Sequence, residues 1–164
     1  MSTTDPNAFL MGGACPSAKF PTPPKNGKPG TTVAGTIESF SIAQQTEIGT
    51  MKPLYWDNGD KKMQLVVTLQ TEERDDQIKD DDGRRRLFAT GGKATNRAGD
   101  AWTMMVAIRN AIKAANATGL EEGGWLSVAW ADEGEQTRGG FNKPKLYKAA
   151  YKPPAPGLSV DELM

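Results

Sequence analysis

A mainly β fold of five strands, with one helix between the third and fourth and an extended arm at each end, is the architecture this sequence predicts. Three observations carry it. Residues 62–71 (KMQLVVTLQT) alternate apolar and polar side chains with the period of a half-buried strand. Residues 101–117 hold no glycine or proline and repeat apolar residues at three- and four-residue steps, the period of an amphipathic helix. Four further short runs of β-forming residues are set apart by glycine, proline and acidic segments. At 164 residues the chain is long enough for one core and too short for two.

Residues 1–30 carry Pro6, Pro16, Pro21, Pro23, Pro24 and Pro29, a composition that favours extended chain and reads as an arm. Its apolar piece Phe9-Leu10-Met11 is a candidate docking point for a second subunit or a strap on its own domain. The barrel-forming domain is placed at 31–152. Strand one, 32–42, puts Val33 and Ile37 on one face, and its interior Gly35 suggests a bend or bulge. Strand two sets Met63, Leu65, Val67 and Leu69 against Gln64, Thr68 and Gln70. Strand three, 84–90, turns Leu87 and Phe88 to opposite faces. The helix follows over 101–117, with Trp102, Met105, Ile108, Ile112 and Ala115 on its apolar stripe, Asp100 as N-cap and Gly119 just past its end. Strands four and five are expected at 125–131 and 145–151. Trp102 and Trp125 are expected in the core, while Trp130, Tyr147 and Tyr151 are left open. Residues 153–164 form a second, acidic and apolar tail.

Several chemistries are excluded by composition. With no histidine, Ser-His-Asp and Cys-His catalysis, His-bearing zinc sites and imidazole switching all fall away. The one cysteine, Cys15, permits neither an intrachain disulfide nor a Cys-rich metal site, and fits a reducing cytosol. No apolar run approaches the roughly 18 residues of a membrane span, and the first residues lack a signal-peptide pattern. A cytoplasmic protein without cofactor or membrane partner is the expectation.

The order β-β-β-α-β-β in about 120 residues resembles the OB-fold, a five-stranded Greek-key barrel with its helix between strands three and four. Small β-grasp and split-barrel folds give a similar string. The segments NAFLMGG, PSAKF, MQLVVTLQTEERD, DDDGRRRLF and PKLYKAAYKPP also resemble a family of small proteins of tailed phages that infect actinobacteria, over most of residues 7–154. Members of that family are similar to phage single-stranded DNA-binding proteins. The resemblance implies a non-enzymatic role in phage DNA replication or recombination in the host cell cytoplasm.

Charge placement bears on the same question. Acidic and basic residues balance at 20 each, yet segments 84–113 and 138–152 together hold 12 of the basic residues and only one acid, Asp100. Binders of single strands combine cationic grooves with aromatic platforms worth roughly 1–3 kcal/mol per stacked base. On strand three, Arg84, Arg86 and Phe88 share a face. Lys93 and Arg97 follow in the same basic segment. Arg138, Phe141, Lys143 and Lys145 belong to the second, and Lys52, Tyr55 and Trp56 to the long connection between strands one and two. These twelve residues are the candidate nucleic-acid contacts. Their duller readings are core or edge packing for Phe88, and a solvated face paired with Asp80–Asp82 for the arginine run.

Other motifs fail or point elsewhere. The acidic stretch 72–82 cannot be an EF-hand loop, because a register with Gly83 at its invariant glycine puts Ile78 and Ala89 at ligand positions. Thr90-Gly91-Gly92-Lys93-Ala94 lacks both the Ser/Thr and the upstream glycine of a phosphate loop. A magnesium nuclease using Asp81 and Asp82 is one rival reading. The main rival is a protein-interaction or virion-accessory module that grips other proteins through barrel and arm. The tail Val160-Asp161-Glu162-Leu163-Met164 is a candidate contact for replication or recombination proteins.

Overall fold

The computed structural model describes residues 15–47, 49–92, 94–134 and 143–154. Five strands, β1 (Thr32–Gln44), β2 (Met63–Gln70), β3 (Arg84–Ala89), β4 (Trp125–Glu133) and β5 (Lys145–Lys152), form one antiparallel sheet in the order β3-β2-β1-β4-β5. The helix α1 (Met104–Ala114) lies between β3 and β4 in sequence and packs against β5. No helix among the described residues is long and apolar enough to cross a membrane.

Alternation decides which face of each strand is inside. Val33, Ile37, Val67, Leu69, Leu87, Ala89, Leu126 and Val128 join Met104, Ile108 and Ala111 of α1 in one core cluster. The expected parity therefore holds for β1, β2 and β3, and Leu87 is buried while Phe88 faces outward. Gly35 is not itself bulged. The register between β1 and β2 slips at Glu38, between Ile37 and Ser39. Gly35 is instead a point of close approach, because a Cβ there would strike the Gln70 carbonyl. Gly35→Ala is expected to destabilise the fold by about 1–3 kcal/mol, measured by urea denaturation.

The helix is shorter than its period suggested. It begins at Met104, its N-cap Thr103 makes no side-chain capping bond, and Asp100 does not cap it. Trp102 is held extended instead: its N–H donates to the Tyr147 carbonyl at 3.0 Å and its carbonyl accepts from the Tyr147 N–H at 2.6 Å. Asp100 accepts from Asn96 Nδ2 at 2.7 Å and from Lys148 Nζ at 3.1 Å. The C-terminus closes at Asn116, with φ 56°, before Gly119 is reached. There Ala117 N–H donates to Ile112 and Asn116 N–H to Lys113, a Schellman arrangement. Asn116→Gly relieves the left-handed backbone and is expected to raise stability by a few tenths to about 1 kcal/mol in the same assay.

Trp125 is not a core anchor. Leu126 takes the inward position, and Trp125 stands on the outer face at 43% exposure, opposite Thr36 and Lys152. Trp102 is half-buried off the helix stripe. Trp130 and Tyr151 are buried, and each satisfies its polar end: Trp130 Nε1 donates to the Asp132 carbonyl, and the Tyr151 hydroxyl accepts from Glu121 N–H.

The described part of the N-terminal arm is packed against the sheet. Arg86 N–H donates to the Pro16 carbonyl and Ala18 N–H to the Arg86 carbonyl, so the arm adds a short parallel rung to the free edge of β3. It then places the Phe20 ring edge-on to Tyr147 of β5, centroids 5.2 Å apart. Lys25 and Lys28 pair across Asn26 and Gly27, both at positive φ, which is the type I′ hairpin turn. The chain returns to β1 with Thr31 N–H donating to Thr22. Phe9-Leu10-Met11 lies outside the described residues, as does most of the C-terminal tail.

The acidic link between β2 and β3 is folded around one carboxylate. Asp81 accepts both terminal nitrogens of Arg85, at 2.8 and 2.7 Å, the Gly83 N–H at 2.9 Å and the Asp75 N–H at 2.7 Å. Both side chains of the pair are nearly enclosed, at 7% and 4% exposure. Among the described residues no three acidic or cysteine side chains are grouped as metal ligands would be.

Candidate nucleic-acid interface

The outermost strands β3 and β5 border one cleft of about 510 Å³. Arg86 and Phe88 line it from β3, and Lys145 and Tyr147 from β5. Lys19 and Phe20 close it from the arm, with Leu87 and Met104 also lining it. Three cations and three aromatic rings thus meet, and among the described residues that line the space none is acidic. Arg86 and Lys145, more than fifty residues apart in sequence, come from the two basic segments, and each segment contributes a cation and a ring.

Local geometry shows how the rings and charges are held. The Arg86 guanidinium carbon sits 5.4 Å from the Phe88 ring centroid, and Lys145 Nζ lies 4.4 Å over the ring of buried Trp130. These cation–ring contacts orient the long side chains. Phe88 is 37% exposed, an available face for stacking. Burial pushes the Tyr147 phenol up, so it stays a neutral donor at physiological pH.

Arg84 is on the same strand face but differently engaged. The bulged Glu38 and the nearby Asp82 both pair with it, at 3.3 and 2.7 Å, in half-exposed positions. Those pairs match the duller reading of the arginine run, as does the Arg85–Asp81 pair. Exposed pairs of this kind contribute about 0–1 kcal/mol, weak enough for a phosphate to displace.

The remaining candidates do not line the cleft. Lys52, Tyr55 and Trp56 are on the β1–β2 connection, which folds as two small hairpins at Thr46–Pro53 and Tyr55–Lys61. Tyr55 and Trp56 are more than half exposed, and Lys62 Nζ lies 4.6 Å over the Trp56 ring. The turn is built by Asn58, whose side chain bonds Asp60. Arg97 is exposed in the turn before α1, and Lys143 is exposed just before β5. Lys93, Arg138 and Phe141 lie outside the described residues.

Sequence reasoning missed Lys19 and Phe20 and left Tyr147 open. The proline content of the arm concealed the pair, since it argues against a packed segment. The signal that could have exposed them is the alternation Ala18-Lys19-Phe20, which presents a short edge-strand pattern just before Pro21.

No protein-family model, no curated protein and no solved structure matches the chain.

Proposed function

We propose that this chain is a non-enzymatic single-stranded DNA-binding protein with little sequence preference, acting in phage DNA replication or recombination. The carrying observation is the cleft in which Arg86, Lys145 and Lys19 stand beside Phe88, Phe20 and Tyr147. Cations spaced along a groove neutralise phosphates, and flat rings receive the base faces that only an unpaired strand exposes. An OB-like barrel is the finer fold reading. It is supported by the central β1, the helix between β3 and β4, and the approach of the β3 and β5 edges to a common cleft.

The experiment is a titration of oligo-dT into the full chain, followed by tryptophan fluorescence at several salt concentrations. Saturable quenching is expected, with log affinity falling linearly in log salt by about 0.7 per phosphate contacted. Duplex of the same length is expected to bind more weakly. Absence of saturable binding at low salt would transfer the chain to the protein-interaction reading, which the exposed apolar side chains Phe40, Ile42 and Met63 favour.

A further inference from the structure

A second concavity lies away from the cationic cleft. It is a groove of about 430 Å³ between α1 and the far ends of β1 and β2, lined by Phe40, Ile42, Met63, Leu65, Ile108 and Ile112. Ile42 is 69% exposed, and Phe40 and Met63 are about two-fifths exposed. Contiguous apolar side chains left in water mark a surface that something covers. Among the described residues Arg109 is the only charged one in the lining.

We infer that the groove is the docking site of the chain's own C-terminal segment, residues 157–164 (GLSVDELM), folded back within the same molecule. Where the chain leaves β5 is the first argument. Pro154 lies within van der Waals reach of the Gly123 position, and the Tyr151 hydroxyl holds Glu121. The last described residues therefore abut the turn that carries Leu120, which lines the groove. Length is the second. Ile37 is hydrogen-bonded to Gly123 and Gly124, and Ile42 is five residues further along β1, about 17 Å away. Residues 155–164 span up to about 33 Å when extended, so the segment reaches the far end with chain to spare.

Chemistry is the third argument. The segment joins apolar and acidic side chains: Leu158, Val160, Leu163 and Met164 supply side chains for the groove, and Asp161 and Glu162 supply carboxylates. The helix α1 puts Arg109 on the groove, has Lys113 in its last turn and holds no acidic residue. Docked, Val160 and Leu163 cover Ile42 and Met63 while Asp161 and Glu162 face Arg109. Releasing the segment frees its acidic tip for another protein.

The test uses the full chain in a Cys15→Ser background, which removes the single native thiol. Leu163→Cys is combined either with Ile42→Cys in the groove or with Ala150→Cys on the outer face of β5. A short bismaleimide links whichever pair meets. Ala150 is closer to the segment along the chain, so an undocked segment links to it at least as well. Docking predicts an intramolecular link to Ile42→Cys favoured by at least about fivefold, and loss of that preference on Arg109→Glu. A yield at Ala150→Cys equal to or above that at Ile42→Cys overturns the proposal. So does a link to Ile42→Cys that forms mainly between molecules and grows with concentration, which would place the segment on a second copy.

Discussion

Combining Arg86→Glu with Phe88→Ala is expected to weaken oligo-dT binding by on the order of 100-fold or more, read by the same fluorescence titration. Phe88 is asked to supply one stacked base, roughly 1–3 kcal/mol, which alone converts to about 5- to 150-fold. Arg86 stands beside that ring, and reversing its charge both removes a phosphate contact and repels the strand. The milder Arg86→Ala is expected to lower the salt slope by about 0.7 while leaving the fold intact, because the backbone bonds to Pro16 and Ala18 do not involve its side chain. Arg109→Glu, in the apolar groove that shares no lining residue with the cleft, serves as the control and is expected to leave affinity unchanged. Equal losses from both arginines would mean that net charge, and not the cleft, governs binding.

Asp81→Asn is expected to lower the thermal midpoint by on the order of 10 °C, because it leaves the enclosed Arg85 guanidinium without its counter-charge. Arg85→Met together with Asp81→Asn is expected to be less damaging than Asp81→Asn alone, since no uncompensated charge then remains inside. Differential scanning calorimetry of the three variants checks this. The pair also has a pH signature. Hydrogen bonds from Arg85 first, then from Gly83, hold the Asp81 carboxyl well below the usual carboxylate range. A carboxylate depressed in the folded state adds stability that is complete above its unfolded value, near pH 4, and is lost as pH falls toward its folded value. Wild-type protein is therefore expected to lose stability on acidification below about pH 4, and Asp81→Asn to show a flatter acid limb.

Legibility from sequence followed the range of the interactions. The alternation of β2 and the opposed facing of Leu87 and Phe88 are consequences of strand pleat, and both were readable because each needs only adjacent residues. The helix ends were misread for the opposite reason. Asp100 has the right chemistry for an N-cap, but Lys148 of β5 and Asn96 compete for its carboxylate, and Tyr147 holds Trp102 in a strand-like bridge. Trp125 is expected in the core from its place after Gly123-Gly124 at a strand start, whereas its parity against Leu126 sends it outward. The candidate site divides in the same way: Arg86, Phe88 and Lys145 come to one cleft, while Lys52, Tyr55, Trp56, Arg97 and Lys143 do not line it.

Sequence by itself determined the number and order of the elements, the inward faces of the first three strands, and the segregation of positive charge into two stretches. All of these are set by local periodicity or by composition. Only the tertiary structure decided which cations share a space. Pairing of β1 with both β2 and β4 leaves β3 and β5 as the edges, and the arm connects them through Ala18 and Phe20. That closure depends on backbone hydrogen bonds and a ring contact between residues up to 127 positions apart, a range at which side-chain order along the chain carries no signal.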